Sequence, residues 1–143
     1  LIMANYSPTK NDVTSEISKS RKVIKIHEQE LSKPKIKGQS KIVEEIAVEK
    51  TKIYLWQKGY WVLREQQLRG PADLYAYKIS NYKRIEYFID CKGIHPRANY
   101  KPAFKARKSK FPIRDKIINR IQSIVYKNQI KFKDLSNKEV KII

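Results

Sequence analysis

Phe88-Ile89-Asp90-Cys91-Lys92-Gly93 is the stretch on which the reading of this chain turns. It closes a run from Arg84 to Lys92 in which Ile85, Tyr87, Phe88, Ile89 and Cys91 supply enough apolar and β-favouring side chains for a central strand. Successive side chains along a strand point to opposite faces, so Asp90 and Lys92 project to one side while Cys91 points to the other, into the core. An acid-x-Lys string is common by chance. Its place at the end of an apolar strand makes this one informative.

Working upstream, Ser80-Asn81-Tyr82-Lys83 is turn-like, and residues 72–79 alternate in a β-favouring pattern, so the two runs form a hairpin. Arg69-Gly70-Pro71 marks a turn, and Tyr60-Trp61-Val62-Leu63 reads as a further strand. Before it, Ser40 is placed to N-cap a helix in which Ile42, Val43, Ile46, Ala47, Ile53 and Tyr54 share one side, with Gly59 as its C-cap. Trp56 and Trp61 then belong to the core around the helix-to-strand junction. Residues 1–39 are cut by Pro8, Pro34 and Gly38 and read as a basic arm, partly helical or extended. Within it Ile17, Ile24 and Leu31 recur every seven residues, although Lys22-Val23-Ile24-Lys25-Ile26 fits a short strand as well.

Downstream, residues 93–111 read as loop or a partly ordered basic segment. Pro112 fits the first turn of a helix in which Ile113, Ile117, Ile118, Ile121, Ile124 and Val125 form a stripe packed on the sheet. Residues 130–132 and 139–143 are short strand candidates. The expected fold is α/β: a helix, a three-stranded antiparallel meander, a second helix and a further strand, spanning residues 40–143 behind the arm.

The 143 residues hold 32 Lys and Arg against 14 Asp and Glu, a formal charge of +18, which fits a polyanionic partner far better than a neutral one. The excess is clustered, since residues 93–143 carry fourteen basic and three acidic side chains. Arg97, Lys101, Lys105, Arg107, Lys108, Lys110 and Arg114 are the candidate nucleic-acid contacts, and Tyr100, Phe104 and Phe111 interleave with them as stacking partners. One cysteine and two histidines, His27 and His95, allow neither an intramolecular disulfide nor a zinc site of proper spacing. No apolar run approaches bilayer length, and Leu1-Ile2-Met3-Ala4-Asn5 lacks the apolar stretch of a signal peptide, so a soluble, intracellular chain without membrane contact is expected.

If the hairpin forms, Asp73 reaches the end of the sheet where Asp90 and Lys92 lie. Two converging carboxylates repel unless a cation joins them, and hard oxygen ligands suit Mg²⁺ with retained waters. A lysine beside that ion can orient an attacking water and stabilise charge developing on a phosphate.

Over residues 40–128, this arrangement resembles the PD-(D/E)xK nuclease superfamily. The resemblance rests on the glutamate-bearing helix, Lys58-Gly59-Tyr60, Gly70-Pro71-Ala72-Asp73-Leu74 and Phe88-Ile89-Asp90-Cys91-Lys92-Gly93. Ala72 separates Pro71 from Asp73, where the motif has them adjacent, and Asp90 is the less usual acid before the lysine. The resemblance implies a restriction-endonuclease-like core and an Mg²⁺-dependent endonuclease cutting DNA, with Mn²⁺ able to substitute. Asp73 and Asp90 would hold metal, and Lys92 would stand at the nucleophilic water. It also implies a glutamate from the first helix; the helical wheel ranks Glu45 and Glu49 above Glu44 and leaves the choice between those two open. Cutting both strands of a duplex needs two sites, so a homodimer or higher oligomer is expected. A noncatalytic nucleic-acid-binding protein is the alternative, and so is an RNA-directed or inactive member of the same fold.

Overall fold

The computed structural model describes residues 3–33, 39–65, 72–96 and 101–143. In chain order its elements are α1 (Lys10–Leu31), α2 (Gln39–Gln57), β1 (Trp61–Arg64), β2 (Leu74–Ser80), β3 (Lys83–Gly93), α3 (Pro112–Ile117), β4 (Ile121–Tyr126) and β5 (Gln129–Lys133). The five strands form one mixed sheet in the order β1-β2-β3-β4-β5. β1, β2 and β3 make an antiparallel meander, β4 runs parallel to β3, and β5 turns back antiparallel on β4.

α2 lies across one face of this sheet. Ala47, Leu55 and Trp56 of the helix meet Leu74, Ala76, Ile89, Cys91, Ile121 and Val125 of the strands in the main core. The helix stops where the sequence indicates: Gly59 adopts φ +85°, and the amides of Gly59 and Tyr60 donate back to the carbonyls of Trp56 and Leu55 at 3.0 and 3.1 Å. Trp56 and Trp61 pack edge to face at 6.1 Å across that junction. One polar contact lies inside the core, where Thr51 meets both the Ala47 carbonyl (2.7 Å) and the Ser123 hydroxyl (2.9 Å).

The N-terminal arm is a 22-residue helix rather than an extended strap or a strand at Lys22. Thr9 and Asp12 form a reciprocal capping box at its start, a signal that the heptad count passed over. Ile24 is buried, and Val13 and Ile17 pack on the main core. Ahead of α1, Tyr6 pairs with Ile79 through two backbone hydrogen bonds of 2.9 and 3.0 Å.

The expected second helix is corrected over half its length. α3 ends at Ile117, Asn119 turns the chain with φ 52°, and Ile121, Ile124 and Val125 lie on β4 instead. β4 is buried on both faces, as a strand with a parallel neighbour should be, and in such a strand apolar residues run without alternation. Ile121, Ile124 and Val125, spaced three and four apart around the buried polar Gln122 and Ser123, therefore mimicked a helical stripe. The tail resolves into β5, with Glu139 making a single bridge to Lys133. The expected turn at Arg69-Gly70-Pro71 lies outside the described residues.

β3 meets α2 most closely at Gly93. A Cβ placed on Gly93 would stand 2.5 Å from the Val43 carbonyl oxygen and 2.6 Å from Val43 Cγ1. Only the absence of a side chain lets the start of the helix sit against the end of the strand. Gly93→Ala must push backbone away from backbone, and overpacking of this kind costs about 1–3 kcal/mol. The expected result is a lower urea midpoint with an unchanged m-value, read by circular dichroism.

Candidate active site

Asp73 sits immediately before β2, and the register Leu74↔Ile89 sets it beside Asp90. The Asp73 amide donates to the Ile89 carbonyl at 3.0 Å, and its carboxylate accepts the Cys91 amide at 2.7 Å. Strand alternation then does what the sequence implies: Cys91 is 1% exposed in the core, while Asp90 and Lys92 emerge on the opposite face. The Lys92 ammonium lies 3.2 Å from Asp90 Oδ2.

The carboxyls of Asp73 and Asp90 are close enough to share a hydrogen bond. Burial, followed by that bond and the Asp90 charge, pushes the Asp73 carboxyl up to about 7, against the opposing pull of the Cys91 amide and Lys92.

The helix glutamate that the structure sets beside Asp90 and Lys92 is Glu44, the one the helical wheel ranks lowest. Its carboxylate faces Lys92, the Gly93 amide, Asp90 and Arg107, whose Nη1 stands 3.4 Å away. Burial raises its proton affinity, and the two cations and the Gly93 amide partly restrain the rise. Glu45 turns toward β1 and binds Arg64 at 2.6 Å, which holds its carboxyl below the usual range. Glu49 is 4% exposed under α1, where Ser20 donates to it at 3.3 Å and Lys52 pairs with it at 3.2 Å. The acid pair lies where the β2–β3 ladder ends, while β3 continues beside β4 to Gly93. The glutamate that reaches the pair must project past the core stripe rather than flank it.

Arg120, which was not among the candidate site residues, closes the far side. Arg120 is 10% exposed, with Nη1 at 3.2 Å from Asp90 Oδ2 and Nη2 at 2.8 Å from Asp115 Oδ2. Asp115 is fully buried and also bonds Ser109 and Arg114. Of the candidate nucleic-acid contacts, Lys101, Lys105, Lys108 and Lys110 are exposed. Arg107 is tied to Glu44 and, through its backbone, to Gln122 at 2.9 and 2.8 Å. Arg114 bonds Asp115 and lies over the Phe111 ring at 4.5 Å. Phe104 is buried against Ile124 and Tyr126, so it is core rather than a stacking surface. Arg97 and Tyr100 lie outside the described residues.

As a metal site the donor set is sparse: among the described residues, no three His, Cys, Asp or Glu side chains gather in ligating geometry. Two adjacent carboxyls, one with its proton affinity raised mainly by burial, are oxygen donors of the kind that a hard cation keeping most of its waters, such as Mg²⁺, would use. Also among the described residues, no helix is long and apolar enough to cross a membrane.

The protonated pair has a pH signature. Asp73 holds its proton up to about 7 in the folded chain, against 3.8 ordinarily, so its contribution to stability falls as pH rises through that window. Asp73→Asn keeps an acceptor for the Cys91 amide and removes the charge. In chelating buffer its stability relative to the parent should rise from pH 4 to pH 8 by roughly 1 kcal/mol, allowing for solvent screening. Denaturant titrations across that range measure the difference, and a pH-independent gap would mean that the two carboxyls do not interact. Comparisons with protein-family models, with curated proteins and with solved structures find no match to this chain, so its chemistry is argued from its own side chains.

Proposed function

We propose that this protein is an Mg²⁺-dependent endonuclease of the PD-(D/E)xK type, with a restriction-endonuclease-like core, that hydrolyses DNA phosphodiester bonds. The observation that carries the reading is the convergence of Asp73, Asp90, Lys92 and Glu44 at one end of the sheet, beside an exposed cationic segment. Asp73 and Asp90 would hold Mg²⁺, with Mn²⁺ able to substitute. When bound, the ion neutralises the carboxylates and supports charge developing on the phosphate.

The side chains have separable parts in such a reaction. Water adds to phosphorus, the bond to one sugar oxygen breaks, and that oxygen takes a proton. Lys92, half-buried between Asp90 and Glu44, places a fixed positive charge where the phosphate gathers negative charge. Glu44 is oriented by Gly93 and Arg107 so that its carboxylate faces Lys92, and it keeps that ammonium in place. Lys101, Lys105, Lys108 and Lys110 bind the flanking backbone without reading bases. Cutting both strands calls for two copies of this site, so the proposal includes a homodimer.

One observation favours a noncatalytic DNA-binding protein: Asp90 is already ion-paired with both Lys92 and Arg120, a closed arrangement that needs no cation. Cleavage assays on plasmid DNA separate the two readings. Asp73→Ala and Asp90→Ala should abolish Mg²⁺-dependent cutting while retaining DNA binding, and Lys92→Ala should slow it by about 10²-fold or more. Glu44→Gln should reduce turnover, whereas Glu45→Gln and Glu49→Gln, which face elsewhere, should stay close to the parent rate. Parent protein that binds DNA equally with Mg²⁺ and with chelator, and never yields product, fits the noncatalytic reading.

The cationic segment makes a second, independent claim. Each phosphate neutralised releases condensed counterion, so about six contacts should lower affinity on the order of 10³-fold between 50 and 200 mM salt. Neutralising Lys105, Lys108 and Lys110 together should reduce the slope of log affinity against log salt by about 2–3 for all sequences alike. An unchanged slope would move the DNA surface elsewhere, most simply to α1 around Lys19, Arg21 and Lys22.

A further inference from the structure

The most anomalous surface lies on and beside α3. Phe111, Ile113 and Ile117 are 57%, 78% and 75% exposed, although the sequence pattern assigns both isoleucines to a buried stripe. Three large apolar side chains within seven residues, held in water, mark a surface built to be covered. The chemistry around them identifies the cover. Lys108, Lys110 and Lys116 are exposed beside them, Arg114 lies over the Phe111 ring at 4.5 Å, and the segment's single carboxylate, Asp115, is turned fully inward. Among the described residues from 108 to 117, the exposed side chains are apolar or cationic, and the partly or fully exposed carboxylates Glu86 and Asp134 lie across the pocket beside Lys116.

We propose that Phe111, Ile113 and Ile117 form a wedge that enters a base step of duplex DNA and bends the duplex beside the acid site. Unstacking bases requires a stiff tool, and this one is anchored. The Phe111 amide donates to the Ser109 hydroxyl at 3.0 Å, the Asp115 amide to the Phe111 carbonyl at 3.0 Å, and the Arg120 amide to the Asp115 carbonyl at 2.8 Å. One guanidinium, Arg120, binds both Asp115 beneath the wedge and Asp90 in the site. Phosphates on either side of an opened step would meet the lysine rim. A second copy of this chain fits poorly, because a two-fold contact would set the cationic rim against itself. An anionic bilayer also fits poorly, because the six residues of α3 offer little apolar length to lie in an interface. The proposal rests on the reading above only in taking duplex DNA as the partner.

The test is fluorescence energy transfer between the ends of a duplex of about 30 base pairs, with chelator present so that nothing is cut. Bound parent protein should raise transfer, because inserted apolar side chains kink DNA by about 20–90°. The triple variant Phe111→Ser, Ile113→Ser, Ile117→Ser alters only exposed groups and should keep the parental circular dichroism. It should bind within about 10-fold of the parent, with the same salt slope, and leave the duplex straight. Ile26→Ser, at an apolar residue of α1 that is 58% exposed, should bend DNA as the parent does. Bending that survives in the triple variant, or bound DNA that stays straight with the parent, overturns the wedge. So does a triple variant with parental bending whose own sedimentation mass falls, which assigns the patch to a second copy. Loss of binding to phosphatidylglycerol vesicles with parental bending retained would assign it to a membrane. Parent protein that bends DNA in chelator yet never cuts it with Mg²⁺ overturns the nuclease reading and leaves the wedge standing. Straight bound DNA with normal cleavage does the reverse, and failure to bind DNA overturns both.

Discussion

A single guanidinium ties the crossover helix to the sheet. Arg120 stands where the chain re-enters the sheet at β4, and its two terminal nitrogens reach Asp90 on β3 and Asp115 on α3. Buried ion pairs rarely add net stability over apolar packing, but removing one partner leaves a desolvated charge and costs about 3–5 kcal/mol. Here the arrangement serves position. β3 and β4 are parallel neighbours, so the chain between them has to cross from one end of the sheet to the other, and most of the described crossover is irregular. Without a fixed charge at its end, little would decide where α3 lies. Arg120 and the Gln122 contacts with the Arg107 backbone peg that crossover at two points.

The other constraint is steric and works from the opposite face. Gly93 brings the Val43 backbone of α2 against the end of β3, and the next helical residue, Glu44, is thereby carried over the edge of the sheet to Lys92. Charge from one face and close packing from the other meet at the same strand end. Asp73 is trapped between them with one amide donor and a carboxyl neighbour. A small domain pays for such a place elsewhere in its fold, here through a core in which Leu55, Tyr60, Leu74, Ala76 and Ile89 are fully buried.

Much of this architecture was legible in the chain, and the parts that were not share a cause. Alternation along residues 84–92 and the glycine after Lys58 are local signals, and they placed β3, the opposite faces of Cys91 and Asp90, and the end of α2 correctly. The boundary between α3 and β4 was misread because a strand buried on both faces carries no alternation to separate it from a helical stripe. Glu44 was ranked below Glu45 and Glu49 because a helical wheel shows which side of a helix a residue occupies, not where along the helix the sheet ends. Asp115 and Arg120 carried no signal of their own in the sequence; Arg120 pairs with Asp115 five positions away and with Asp90 across the crossover. The capping box of Thr9 and Asp12 was a local signal available all along.

Net charge is also read differently once the fold is known. The total of +18 treats every lysine and arginine alike. The fold divides them. Arg120 is spent inside the protein, Arg64 and Arg107 are partnered by Glu45 and Glu44, and Arg114 is shared between Asp115 and the Phe111 ring. Lys101, Lys105, Lys108 and Lys110 remain in water along the crossover. Within the described crossover, arginine, with its planar fork and weak hydration, takes the paired and stacked places, while lysine, a strongly hydrated point charge, takes the open ones. Exposed charge in the described crossover is therefore carried mainly by lysine, as backbone contact at any sequence would need under the proposed function. On the proposed DNA-cutting reading, discrimination among targets would come from shape and deformability, the properties that an apolar tip between lysines would probe.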